Sequence, residues 1–186
     1  MQNDTCYVRR RFTLPNFSKK NLGGFTLVEL VLYVGLAAVM ILSVSIFLST
    51  MLQARVRNQT VLEVESQGIQ VTQRILQVVR NSLAVNSPLE GLSDSSLSMD
   101  VLTLALDPTI FDISGGVIRM HEGLGTPIPL TSSRVIASNL IFRNLSKNGT
   151  PGTIQLQFTL THLNQEGRYE YDYSEVFIGS ATLKAY

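Results

Sequence analysis

Apolar residues fill the chain almost without interruption from Phe25 to Leu52, recur with a helical period to about Leu83, and then alternate in short runs toward the C-terminus. The first pattern exceeds the 18 or so apolar residues that read as a membrane-spanning helix. Its only ionisable side chain is Glu29, near its start, and Gly35 is its only weak helix former. A bilayer-spanning helix is therefore predicted over residues 25–52.

Gln53, Arg55 and Arg57 end the apolar run but not the period. On a wheel turning about 100° per residue, Val61, Val64, Gly68, Val71, Ile75, Val78 and Val79 share one face, with Leu62, Ile69, Leu76 and Leu83 at its edge. Glu63, Ser66, Gln67, Gln70, Gln73, Arg74, Gln77 and Asn81 collect opposite, and Glu65 is the one misfit. Residues 53–87 are thus predicted to continue the helix as an amphipathic half, stopped by Asn86, Ser87 and Pro88. Its apolar face reads first as the core of a domain and second as a subunit contact.

Beyond the loop-forming stretch 88–96 the period changes to that of strands. Leu97 to Leu106 and Thr109 to Ser114 lead to Gly115-Gly116, a hairpin signal, and on to Val117 through His121. Val135 to Phe142 and Thr153 to Leu163 flank a turn-forming stretch at 146–152, and Arg168 to Ile178 follows a turn at 164–167. From Ile154 to Thr161 the alternation is strict, as in a strand with one buried and one wet face. The predicted class is α+β: a long N-terminal helix packed on one antiparallel sheet formed by residues 88–186.

Charge adds orientation. Residues 1–24 carry Arg9, Arg10, Arg11, Lys19 and Lys20 against Asp4 alone, a basic flank that predicts a cytoplasmic N-terminus and an outer C-terminal domain. The overall balance of +1 gives no reason to expect a nucleic-acid partner. Cys6 is the single cysteine, so neither an internal disulfide nor a thiolate metal site is expected, and no cofactor is indicated. Gly23-Gly24 precedes the apolar core, the reverse of the order in an ordinary secretory signal.

Gly24-Phe25-Thr26-Leu27-Val28-Glu29 resembles the processing site of type IV prepilins and type II secretion pseudopilins. The resemblance implies a leader of residues 1–24, cut after Gly24 by a prepilin peptidase that also N-methylates Phe25. It implies too that Glu29 pairs with the Phe25 amine of a neighbouring subunit when helices pack into a filament. The partners so implied are the peptidase and methyltransferase, other pilin or pseudopilin subunits, a membrane assembly platform with its ATPase, and the lipid bilayer before assembly. The mature chain would pass once through the cytoplasmic membrane and then enter a pilus or pseudopilus. Residues 25–87 contain no proline and the C-terminal part no cysteine pair, both unlike many major pilins, which leans toward a minor subunit. Phe111 to Ile136 loosely resembles J-type pseudopilins and W-type pilins.

The physical argument for Glu29 stands beside that resemblance. A carboxylate within hydrocarbon costs about 2.5–3.5 kcal/mol, so a lone one implies a partner. A new amine at Phe25 would supply it, four residues away on the same helix face. The helix dipole also favours an acid in the first turn.

Other residues carry less. His121 and His162 read as surface strand residues, without a metal or catalytic set around them. Asn144-Leu145-Ser146 and Asn148-Gly149-Thr150 match a glycosylation sequon of low specificity. Tyr169, Tyr171 and Tyr173 read as one face of a strand. A structural, non-enzymatic subunit is the leading expectation. The alternative is a bitopic membrane protein that keeps its leader and binds a ligand or partner through the outer domain.

Overall fold

The computed structural model describes residues 23–147 and 152–184. Most of the basic leader, Cys6 and the sequon at Asn148 lie outside them. The architecture is α+β: one long helix, then a domain of antiparallel strands in two sheets.

Helix α1 spans Leu27–Asn81, 55 residues free of proline. Contacts divide the chain within it, into a unit ending at Ser45 and a second unit, Ile46–Tyr186. Every residue from Gly23 to Arg55 is exposed. This half is long and apolar enough to cross a membrane and is a candidate span.

In the second unit the predicted face is the buried one: Val64, Gly68, Val71, Ile75 and Val79 are enclosed, as is Leu76 at its edge. Leu62 and Ile69 stay exposed. The helix ends six residues earlier than residue 87, where its sequence period points. At Ser82 the hydroxyl donates to the Val78 carbonyl at 2.7 Å, satisfying one of the helix's terminal acceptors. The chain then leaves as strand β1, Ser82–Ser87.

Eight more strands follow: β2 (Ser93–Asp94), β3 (Leu97–Val101), β4 (Thr109–Ser114), β5 (Val117–Glu122), β6 (Ile128–Pro129), β7 (Val135–Asn144), β8 (Thr153–His162) and β9 (Ser174–Thr182). They form two sheets where one was expected, ordered β1-β3-β4-β5-β6 and β2-β7-β8-β9. The first closes at β6 because Pro127 and Pro129 lack the N–H groups a further strand would need. A bond from Ala137 N–H to the Gly116 carbonyl, 2.7 Å, links the second sheet to the β4–β5 turn of the first.

The hairpin of β4 and β5 is the one the sequence predicts, with Gly115 and Gly116 at φ +60° and +77°. Two predicted strands are shorter. The run 97–106 keeps its strand only to Val101 and ends in a 3-10 turn, Leu104–Leu106. The run 168–178 begins as another 3-10 turn, Tyr169–Tyr171, and becomes β9 only at Ser174.

Both sheets bury one face with α1 in a single core. Leu97, Met99, Phe111, Ile118 and Met120 come from the first sheet, and Phe142, Ile154, Leu156, Phe158 and Leu160 from the second. Strand β9 packs closely on the helix. A Cβ on Gly68 would stand 2.1 Å from the Phe177 ring, and one on Gly179 would stand 2.9 Å from Thr72 Cγ2.

Candidate functional site at the start of the helix

Thr26 caps α1. Its hydroxyl oxygen accepts from the Glu29 N–H at 3.2 Å, and its carbonyl accepts from the Leu30 N–H at 3.1 Å. The Thr26-Leu27-Val28-Glu29 spacing is that of a capping box, which fixes Glu29 in the first turn, where the positive end of the helix dipole favours its charge.

Glu29 and Tyr33, four residues apart, share one side of α1, whereas Phe25 precedes the helix and is not on its face as expected. The Phe25 and Tyr33 rings meet edge to face with centroids 6.0 Å apart. The Tyr33 hydroxyl donates a long bond, 3.5 Å, to Glu29 Oε1. Glu29 is exposed and, among the described residues, its carboxylate is held by one weak donor, the Tyr33 hydroxyl. Such a carboxylate retains capacity for a cationic partner.

Gly23 and Gly24 precede the cap in open space, where a Cβ would meet nothing within 4 Å. Packing does not demand glycine at either position. Gly24, Phe25 and Glu29 are therefore brought together at one helix start. Thr26 and Tyr33 complete the arrangement and were missed in the sequence reading. The capping-box spacing and the i, i+4 relation of Glu29 to Tyr33 are the signals that could have found them.

The β domain holds its ionisable groups differently. Arg119 forms a two-pronged pair with Asp112 across the hairpin at 2.9 and 2.6 Å, and His121 Nε2 lies 3.3 Å from the same carboxylate. The hydrogen bond from Arg119 holds the Asp112 carboxyl below its ordinary range. His121 is half-buried, not a surface residue as expected. His162 is likewise half-buried, stacked on Tyr171 with centroids 5.5 Å apart, and its Nδ1 is enclosed without a hydrogen-bond partner among the described residues.

The three tyrosines expected on one strand face part company. Tyr169 reaches Gln53 on α1 with a 3.0 Å hydroxyl bond, Tyr171 stacks on His162, and Tyr173 donates to Glu175 at 3.0 Å. Burial first, and then Glu175, raise the Tyr173 pKa. Glu170 is buried between them, bonded by Arg168 at 3.3 Å. Its carboxyl is lowered first by its own backbone N–H and then by Arg168.

Asn144 of the first sequon is buried, 3% exposed. Its Nδ2 donates to the Pro88 carbonyl at 2.7 Å, and its Oδ1 accepts from the Ser146 N–H at 3.0 Å and from the Ser146 hydroxyl. The amide is thus committed to the fold and is not presented for modification. No family model, no curated protein and no solved structure matches this chain.

Proposed function

We propose that the chain is a minor pilin or pseudopilin, a structural and non-catalytic subunit of a type IV pilus or type II secretion-like filament. In this reading a prepilin peptidase cuts after Gly24 on the cytoplasmic side and Phe25 is N-methylated. The subunit waits in the cytoplasmic membrane with its β domain outside, until an ATPase-driven platform moves it into the filament.

The observation that carries the proposal is Glu29: a lone, exposed carboxylate in the first turn of a helix that stays exposed and apolar to Leu52, immediately after Gly24-Phe25. A single 3.5 Å bond from Tyr33 offsets little of the cost of placing that charge in hydrocarbon. A neighbouring subunit's Phe25 amine would neutralise it. The pairing sets the axial register of one helix against the next, since a shift of one turn, about 5.4 Å, separates the charges. Gly24 fits the cut because the chain there is uncrowded and outside the helix, where a protease needs extended backbone.

Glu29→Ala tests the register mechanism. Cleavage is expected to proceed while incorporation into filaments falls sharply, read by immunoblot of sheared filaments against the membrane pool. Normal incorporation of the cleaved variant contradicts the pairing.

A further inference from the structure

The two sheets present four outer strands, and three are blunted against pairing. β1 shifts register twice along its six residues, β2 has two residues, and β6 has two, one of them Pro129, directly after Pro127. β9 is different. It runs nine residues in unbroken register with β8, contains neither proline nor lysine, and ends the sheet order. Its one charged residue, Glu175, lies near the start, and a long, regular edge of this kind is what proteins avoid leaving open.

The direction of its unpaired groups follows from the bonds at its ends. His162 N–H donates to the Tyr173 carbonyl at 2.9 Å, and Leu183 N–H donates to the Gly152 carbonyl at 2.7 Å. In an antiparallel pair bonded positions alternate with unbonded ones. Glu175, Phe177, Gly179 and Ala181 therefore bond to β8, while Ser174, Val176, Ile178, Ser180 and Thr182 turn N–H and C=O toward the open side.

A wall rises beside that edge. Leu62, Ile69 and Leu76 recur every seven residues and so share one flank of α1. Leu76 belongs to the flank against β9, since a Cβ on Gly179 would stand 3.0 Å from its Cδ1. Leu62 and Ile69 continue the flank but are 63% and 51% exposed. On the other face of β9, Val176 and Ile178 are 53% and 62% exposed. The edge thus has apolar side chains on both sides of a row of backbone groups that pair with no strand among the described residues.

Charge gives the groove a direction. Gly68 meets Phe177, and Thr72 with Leu76 meets Gly179, so α1 and β9 run the same way. Glu65 on this flank and Glu175 on β9 mark the Ser174 end as acidic. Arg80, eighteen residues or five turns from Leu62 and on the same flank, marks the Thr182 end as basic.

We propose that the β9 edge accepts an extended segment of another polypeptide as an added antiparallel strand. The segment has apolar residues at alternate positions, an acidic residue toward its N-terminus beside Arg80, and a basic residue toward its C-terminus beside Glu65 and Glu175. Its backbone pairs with Val176, Ile178 and Ser180, and its inward side chains cover Leu62 and Ile69. This interaction does not depend on the filament reading.

The test uses the full chain in detergent micelles and an acetylated, amidated nine-residue peptide of alternating valine and threonine, with glutamate first and lysine last. Amide exchange at Val176, Ile178 and Ser180 is expected to slow about tenfold or more at saturation. A peptide with the two charges exchanged binds about tenfold more weakly. Ile178→Pro removes one outward N–H from an edge that does not need it for β8, so the domain keeps its unfolding temperature and loses the protection. Should that variant fail to fold, Ile178→Lys serves in its place. The proposal is overturned if the peptide leaves exchange at these residues unchanged, if protection survives in the folded variant, or if the charge-exchanged peptide binds equally well.

Discussion

Gly68 of α1 lies directly under the ring of Phe177 of β9, so closely that a Cβ at Gly68 would stand 2.1 to 2.3 Å from three ring carbons. The ring cannot swing away freely because it stacks on Phe158, centroids 5.3 Å apart. Alanine at Gly68 would gain about 1 kcal/mol of helix propensity. The steric conflict outweighs it, and Gly68→Ala is expected to lower stability by a net 1–3 kcal/mol or so. Phe177→Leu in the same chain recovers part of the loss, and a double-mutant cycle by denaturant unfolding measures the coupling. Independent effects at the two sites would contradict the contact.

The hairpin pair predicts an acid dependence. Arg119 keeps the folded Asp112 carboxyl below its ordinary value of 3.8, so the stabilisation is complete above that value and is lost as pH falls through the lower, folded one. Asp112→Asn is expected to cost about 1 kcal/mol at neutral pH, the size of a two-pronged, half-exposed pair. The gap between variant and parent closes as the solution is acidified below about pH 4. Thermal unfolding across that range checks both the size and the sign.

Asn144 predicts a larger loss from a smaller change. Asn144→Ala strands the Pro88 carbonyl and the Ser146 N–H in a buried site and is expected to cost about 1–3 kcal/mol in denaturant unfolding. A neutral outcome would mean that neither bond matters to the fold.

Where the chain's own periodicity decided the structure, the sequence was readable. Val64, Gly68, Val71, Ile75 and Val79 fall on one helical stripe and are buried, and Gly115-Gly116 sits between two runs that pair in register. The end of α1 was not readable, because Leu83 and Val85 prolong the apolar period into residues that form β1, and the stop is made by the Ser82 hydroxyl and by pairing with β3. Tertiary contact likewise overrode the alternation of Tyr169, Tyr171 and Tyr173, each of which finds a different partner. The division into two sheets depends on β6 being too short and proline-bound to pass the ladder on, which no local pattern announces. At the helix start, Gly24, Phe25 and Glu29 stood out by their spacing, while Thr26 and Tyr33 emerged only from their bonds to Glu29.

Gly23 through Leu52 is proposed to serve first as an anchor and then as the packing stem of a polymer. Intact-mass and N-terminal peptide analysis of the protein taken from the membranes of its native host tests it most directly. The expected product is a chain that begins at Phe25 and carries one added methyl group on its amine. A chain that retains residues 1–24 would contradict the account and leave a bitopic membrane protein with an outer binding domain as the reading.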